Sequence, residues 1–148
     1  MNITTRGRYA LRASLALAKL GTDGEPVSIN NLSEEENISS VFLEQIFYRL
    51  RKAGIVTSIR GPGGGFCFAK SLNELTVMQI LEAAGENLEI TFCDKTGDSC
   101  DKIGQCLCHY IWLEVNQLVK NYFSNISLSS ILDKYKNAGI NPESEKHE

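Results

Sequence analysis

Residues 38–66, ISSVFLEQIFYRLRKAGIVTSIRGPGGGF, contain a helix signal and a hairpin signal in direct succession. Ser39 or Ser40 is placed to open a helix, because a serine hydroxyl accepts a hydrogen bond from an unpaired amide of the first turn. Gly54 is placed to end it. The apolar residues between them recur at the spacing of one helix face: Phe42, Leu43, Ile46, Phe47 and Leu50. This stretch therefore predicts a helix that packs one side inward.

Two β-prone arms follow this helix, from Ile55 to Ile59 and from Phe66 to Ala69. The run Gly-Pro-Gly-Gly-Gly separates them, and glycine supplies the positive φ that a tight reversal needs. We predict a hairpin with Arg60 at its tip. A nucleotide-binding loop also uses such glycines, but it needs a lysine followed by serine or threonine and a helix, which this stretch lacks.

Two further helices are predicted upstream. The first covers Thr5 to Leu20, with a broad apolar stripe and Gly21 at its end. After turn-forming residues 21–27, Ser28 can cap a second helix that runs to about Glu36. Because residues 37–39 are a very short break, the second and third helices fit a helix-turn-helix, whose second helix enters a DNA major groove. The alternative is a pair of helices that only pack together.

The second half of the chain opens on a helix from Val77 to about Ala84. Thr76 and Gln79 have capping-box spacing. Residues 86–105 have no periodicity, and a long helix is predicted from about Cys106 to Phe123, followed by a short helix over 128–137 and a disordered tail over 139–148. The stripe of the long helix suggests dimer packing, with burial inside one chain as the alternative: Leu107, Ile111, Trp112, Val115, Leu118, Val119 and Tyr122.

Composition and charge bound the class of protein. The chain has 148 residues, of which 43% are hydrophobic and 22% charged, as in a globular protein. No apolar run reaches the roughly 18–20 residues of a membrane span, and the N-terminus lacks the pattern of a signal peptide, so we expect a cytoplasmic protein. Residues 1–70 carry nine basic and six acidic side chains, whereas residues 71–148 carry six and twelve. A DNA-facing surface is therefore expected in the first half.

Residues 93–110, CDKTGDSCDKIGQCLCHY, hold four of the five cysteines and one of the two histidines. In a reducing compartment, clustered thiols indicate metal binding or redox chemistry more than structural disulfides. With Cys106 and His109 three apart at a helix start, and therefore on one face, the candidate ligands are Cys93, Cys100, Cys106 and His109. These donors suit zinc or an iron-sulfur cluster. A thiol switch between Cys100 and Cys106 or Cys108, or no function, remains open at this point.

Taken together, these motifs resemble the Rrf-type family of bacterial winged-helix regulators, with its IscR-like and NsrR-like members. The resemblance covers about residues 1–133 and rests on four stretches: RGRYALRASLALA, residues 38–66, NELTVMQILEA, and three cysteines followed by His109. It implies a mostly α-helical fold with a small β-hairpin wing. It also implies a homodimer on double-stranded operator DNA that represses or otherwise regulates transcription.

The same resemblance assigns DNA contacts. Ser39 and Ser40 would stand at the end of the recognition helix that meets DNA, with Glu44 and Gln45 against base edges. Arg60 would enter a minor groove, whose negative potential attracts a guanidinium. Phosphate contacts would come from Arg6, Arg8, Arg49, Arg51 and Lys52.

For the cofactor, the resemblance implies an iron-sulfur cluster on Cys93, Cys100, Cys106 and His109. A two-iron cluster is favoured over a four-iron cluster, since four-iron relatives use an acidic residue near the first helix of the partner, where this chain has Arg8 or a close neighbour. Cys108 is an extra thiol that competes with His109 as fourth ligand, and Cys67 is expected only to pack. The implied divisions are a winged domain over 1–84, a cluster loop over 85–109, dimerisation and final helices over 106–138, and the tail over 139–148.

These expectations converge on a transcription regulator whose operator binding depends on the cluster and reports cluster status, iron, redox state or nitric oxide. Two alternatives remain: a zinc-stabilised interaction module that does not bind DNA, and a cluster-free DNA-binding regulator that senses a thiol oxidant or a partner protein. An enzyme is not expected, because the chain has no recognisable pair of catalytic carboxylates and no serine-histidine-acid set.

Overall fold

The computed structural model of the chain describes residues 1–93, 100–102 and 104–138. Within these ranges the elements in chain order are α1 (Thr5–Leu20), a short 3-10 turn (Thr22–Gly24), α2 (Ile29–Glu36), α3 (Ser40–Lys52), β1 (Val56–Ile59), β2 (Gly65–Phe68), α4 (Val77–Ala83), α5 (His109–Ser124) and α6 (Leu128–Asn137). The predicted class, mostly helical with one small hairpin, is confirmed. The predicted tail, 139–148, lies outside the described residues.

Helices α2 and α3 form the predicted helix-turn-helix. The hydroxyl of Ser28 accepts a hydrogen bond from the amide of Asn31, and that of Ser39 accepts one from Phe42. Asn37, in the left-handed region at φ 52°, turns the chain between the two helices. The inward side of this pair is fully buried and consists of Leu32, Leu43, Ile46, Phe47 and Leu50. Local caps and an apolar stripe thus fix the orientation of α3, which leaves its polar side outward.

The hairpin is the wing of a winged helix. Strands β1 and β2 pair antiparallel from Val56 opposite Phe68 to Ile59 opposite Gly65. The ring of Phe66 lies 4.9 Å from that of Phe47, which packs the wing on α3. Val27 exchanges two backbone hydrogen bonds with Phe66, at 2.8 and 2.9 Å. The turn predicted over 21–27 therefore ends in a short strand contact that the sequence pattern did not reveal.

Helix α4 begins with the predicted capping box. The Gln79 amide donates to the Thr76 hydroxyl at 3.3 Å, and the Gln79 side chain accepts from the Thr76 amide at 3.0 Å. Beside it, the Leu128 amide donates to the Leu75 carbonyl at 2.9 Å. Leu128 is completely buried in the same core as α1 and α3. The final helix α6 is therefore attached to the winged domain at its first residue.

Helix α5 begins at His109, and its predicted start near Cys106 was wrong. Cys108 caps the helix without a side-chain hydrogen bond, and the His109 amide donates to the Cys106 carbonyl in the preceding turn, at 3.2 Å. A thiol is a weak acceptor, so nothing in the side chains extends the helix backward. Cys106 therefore precedes the helix, and the reasoning that placed it on a helix face with His109 was also wrong.

Much of the outer side of α5 is exposed in the part of the chain that the structure describes. Leu107, just before the helix, is 90% exposed, and Leu118 is 66% exposed. Ile111 and Tyr122 of the predicted stripe are also more than half exposed. Val115 and Val119 of the same stripe are half-buried, so burial within the described part of the chain accounts for only part of the stripe.

Candidate DNA-reading face and cysteine segment

The outward side of α3 faces a shallow hollow of about 650 Å³ between this helix and the start of α1. Its lining is Arg6, Val41, Phe42, Glu44, Gln45, Tyr48, Arg49 and Lys52. Glu44 and Gln45 are exposed, and within the described ranges neither has an ion pair or a side-chain hydrogen bond. Ser39 is also exposed, but its hydroxyl caps the helix, while Ser40 is half-buried. The predicted base-reading residues thus occupy one face.

The predicted phosphate-contacting residues divide into two groups. Arg6, Arg49 and Lys52 line the hollow together with Glu44 and Gln45. Arg8 instead donates to the Thr5 hydroxyl at 3.2 Å, on the exposed side of α1. Arg51 reaches Ser58 of β1 at 3.4 Å and lies 5.8 Å over the ring of Tyr48.

Arg60 lies at the wing tip, with its side chain exposed. Gly61 and Gly63 have φ of 100° and 72°, values that a residue with a side chain rarely adopts. The Gly64 amide closes the tip by donating to the Gly61 carbonyl at 2.9 Å. This reversal leaves Arg60 exposed at the tip of the wing, and a minor-groove contact requires an accessible guanidinium.

A clamp at the start of α1 was missed by sequence reasoning. The Thr4 amide donates to a carboxylate oxygen of Glu86 at 3.1 Å, and the Thr4 hydroxyl donates to the other oxygen. Nearby, the Arg6 Nε donates to the Ala84 carbonyl at 2.6 Å. Burial raises the pKa of Glu86, but hydrogen bonds from Thr4 and Gly7 and the charge of Arg6 outweigh it, so the pKa lies below its ordinary value. The clamp is thus charged at neutral pH and fixes Arg6 beside α3.

The candidate ligands of the cysteine segment differ in their exposure. Cys93 and Cys106 are half-buried, as is His109, whereas Cys100 and Cys108 are exposed. All five cysteines of the chain are free thiols. Among the described residues, no three histidine, cysteine or acidic side chains are gathered into a group that could hold a metal ion. The structure therefore leaves the predicted ligand set in one segment without assembling it.

Cys67 lies apart from this segment, on β2. Its sulfur is 3.3 Å from the hydroxyl of Thr57 on the paired strand, and the residue is half-buried. This cross-strand contact within the wing is the packing position expected for it.

No helix in the part of the chain that the structure describes is long and apolar enough to cross a membrane.

The matches to known proteins cover nearly the whole chain. Residues 3–134 match the Rrf2 family model, described as an iron-dependent transcriptional regulator. The chain is 38% identical over 133 residues to the HTH-type transcriptional regulator IscR of Pectobacterium atrosepticum, which covers 90% of this chain and 80% of the relative. It is 34% identical over 148 residues to IscR of Klebsiella pneumoniae, which covers 100% of this chain and 90% of the relative.

Two solved structures have the same fold. T. potens IscR aligns with a TM-score of 0.73 at 25% identity, over 99% of this chain and 97% of that one. CymR, the global cysteine regulator of B. subtilis, aligns with a TM-score of 0.73 at 25% identity, over 90% and 98%. With its family match, its close relatives and its winged helix, the chain belongs to the Rrf2 family of transcriptional regulators.

Proposed function

We propose that this regulator binds operator DNA in the cytoplasm as a homodimer, and that an iron-sulfur cluster sets its affinity or its choice of sequence. The observation that carries the proposal is the position of the candidate ligands of the cluster. Four thiols and one imidazole lie in residues 93–109, and His109 is the first residue of the helix whose outer apolar side is exposed. A change at the donors therefore acts directly on the start of α5.

The donor set fits a two-iron cluster by its chemistry. Thiolates and imidazole are the ligands of such centres, and free thiols are available in all four positions where the segment has cysteine. A preformed site is not required, because metal binding commonly orders the segment that supplies its ligands. Cys93, Cys100, Cys106 and His109 would hold the cluster, and Cys108, at the helix cap, is the competitor of His109.

DNA recognition is assigned to the winged domain, residues 1–84. The hollow beside α3 presents Gln45 and Glu44 to base edges, with Arg6, Arg49 and Lys52 around them for phosphates. Arg8, Arg51 and the two serines extend this surface, and Arg60 supplies the minor-groove contact.

The proposed dimer interface is the outer side of α5. Tyr110 and Leu118 are about two-thirds exposed, and Trp112 and Ile111 continue the apolar side between them. A contiguous apolar surface of this kind marks an interaction site. A second copy is the proposed occupant, because two-fold symmetric operators require two recognition helices in successive major grooves.

Regulation then follows from the connection between the cysteine segment and the winged domain. When bound, the cluster supplies an inorganic centre that redox chemistry, nitric oxide or iron shortage can remove. His109 joins the cysteine segment to α5. On the other side of the segment, Glu86 accepts a hydrogen bond from Thr4 at the start of α1. Ordering or release of the segment shifts the two recognition helices relative to each other.

A second candidate is a cluster-free regulator that responds to thiol oxidation or to cysteine status. It is favoured by the exposure of the thiols of Cys100 and Cys108, and by the likeness to the cysteine regulator CymR. Exposed thiols are the ones that oxidants reach first.

Elemental analysis of protein purified under nitrogen separates these candidates and the zinc module. Iron and acid-labile sulfide in a brown protein support the cluster. Stoichiometric zinc contradicts it and supports a structural metal site, while protein that takes up neither metal on anaerobic reconstitution supports the thiol regulator.

Arg60→Ala is expected to weaken specific operator binding by about 1–3 kcal/mol, the usual range for a lost base-reading contact. The measurement is operator affinity at fixed salt, compared with binding to unrelated DNA. Lys70→Ala removes the same charge just after β2 and is the matched control. Unchanged affinity in Arg60→Ala, or equal losses in both variants, would exclude a specific contact by Arg60.

A further inference from the structure

Asn116 is a buried polar residue on the dimer helix, with 2% of its surface exposed. Its Oδ1 accepts a hydrogen bond from the Ile90 amide at 2.8 Å. Its Nδ2 is buried and, in the part of the chain that the structure describes, has no hydrogen-bond partner. A buried donor without a partner lowers stability, and an apolar side chain of similar size avoids this cost. Packing alone therefore does not favour asparagine at this position.

The hydrogen bond to Ile90 attaches a particular segment, residues 86–93, which we call the connector. It joins the end of α4 to Cys93, the first cysteine of the cysteine segment. Glu89 of the connector lies 4.0 Å from the ammonium group of Lys120, one helix turn after Asn116. Since Glu89 meets Lys120 and Ile90 meets Asn116, the connector runs along α5 toward the N-terminal end of the helix, where His109 lies.

The inner side of α5 repeats every three or four residues and is half-buried or buried throughout: His109, Leu113, Asn116, Lys120 and Phe123. At its C-terminal end Phe123 packs against the cluster of Val77, Leu81 and Leu88. Asn116 and Lys120 hold the connector in the middle. His109 ends the same side at the cysteine segment.

Chain lengths indicate why the attachment point matters. Three residues from Ile90 to Cys93 span at most about 10 Å, at about 3.3 Å per residue. Seven residues from Asn116 back to His109 rise about 10 Å, at 1.5 Å per residue. An extended link therefore allows Cys93 to reach the level of His109 when Ile90 is held at Asn116. If Ile90 were held one helix turn further from His109, about 5.4 Å along α5, Cys93 would not reach the level of His109.

We infer that Asn116 is a positioning residue, which fixes Ile90 on the inner side of α5 and so sets the register in which Cys93 arrives beside His109. The inference rests on the proposed function, in which these two residues are ligands of one centre. Lys120 reinforces the register through Glu89, but its longer ion pair is the weaker of the two attachments.

The test compares Asn116→Leu and Asn116→Asp with wild type, in the full-length protein. Asn116→Leu removes the acceptor of Ile90, whereas Asn116→Asp keeps an oxygen at the same place. Phe123→Leu is the matched control, because it weakens the packing of α5 against Val77, Leu81 and Leu88 while it leaves the hydrogen bond between Asn116 and Ile90 in place. Two quantities are measured: hydrogen exchange of the Ile90 amide in metal-free protein, and the rate of iron loss and the visible circular dichroism of reconstituted protein.

In Asn116→Leu we expect exchange at Ile90 to rise at least about tenfold, iron loss to accelerate about 10–100-fold, as for other supporting contacts of metal sites, and the dichroism to change. Asn116→Asp is expected to retain the protection of Ile90, and Phe123→Leu to retain all three properties. Unchanged exchange in Asn116→Leu would overturn the inference, as would faster exchange with unchanged iron loss. Wild-type protein that takes up no iron overturns the proposed function instead, and the exchange data then still decide whether Asn116 holds the connector.

Discussion

Cys106→Ser is expected to lower the affinity for the cluster more than 100-fold, which leaves anaerobically reconstituted protein nearly colourless. Loss of a supporting contact around a metal costs about 10–100-fold, and loss of a ligand exceeds that. Cys106 is half-buried in the turn before α5, and its carbonyl accepts from the His109 amide, so a serine keeps the local backbone while it removes the soft donor. The measurements are iron and sulfide per chain and the visible spectrum.

Cys108→Ser and Cys67→Ser are the controls for Cys106→Ser. Both remove one thiol, the first two residues away and the second in the wing. Each is expected to keep the cluster, and His109→Ala is expected to lose it. If Cys108→Ser loses the cluster while His109→Ala retains it, the fourth ligand is Cys108. If Cys106→Ser keeps a full complement of iron and sulfide, the assigned ligand set is wrong.

Leu118→Asp is expected to convert the protein to monomers and to reduce operator affinity by more than 100-fold. Leu118 is 66% exposed in the single chain, and in the proposed two-fold dimer its counterpart lies in the same interface. Loss of a hot-spot residue costs about 2 kcal/mol, so two copies of such a residue cost about 4 kcal/mol, or roughly a thousandfold in dimer affinity. A monomer reads only one half-site, so specific binding falls as well.

Leu20→Asp is the matched control for Leu118→Asp. Leu20 is also an exposed leucine, at the end of α1, and it is not part of the proposed interface. Sedimentation equilibrium and operator titration should give wild-type values for this variant. A Leu118→Asp protein that remains dimeric places the interface elsewhere, and a monomer with wild-type operator affinity contradicts the need for two copies.

Most elements of the fold were predictable because their signals are local. Ser28, Ser39 and Thr76 cap their helices through hydrogen bonds to residues three positions later, so the cap and the first turn are read in one short window. The last helix, Leu128–Asn137, was predicted to the residue. The glycines of the wing tip likewise mark a reversal because of their φ values.

The features that were missed depend on distant partners or on weak side chains. The Glu86 clamp on Thr4 joins residues 82 positions apart, and the strand contact of Val27 involves a single residue, which has no periodicity. The start of α5 was placed three residues too early because the apolar stripe continues to Leu107, although the side chain of Cys108, the cap residue, makes no capping hydrogen bond.

The candidate ligands could be named from residue type but not from geometry. Thiol and imidazole donors identify a class of centre wherever they lie in a chain. Their gathering, however, depends on the ion or cluster itself, since separated thiols gain nothing by approaching one another without it. The role of Asn116 could not be predicted either, because it depends on a hydrogen bond to Ile90, 26 residues away in the chain.

The most direct test of control by the cluster is operator binding by the same preparation with and without it, under nitrogen and at fixed salt. Once the bound operator has been identified, affinity and footprint are measured for reconstituted protein and for protein stripped of iron. The cluster-dependent mechanism predicts a difference of about 5–150-fold in affinity, the usual size of coupling between two sites, or a changed footprint. Equal affinity and an identical footprint would contradict it.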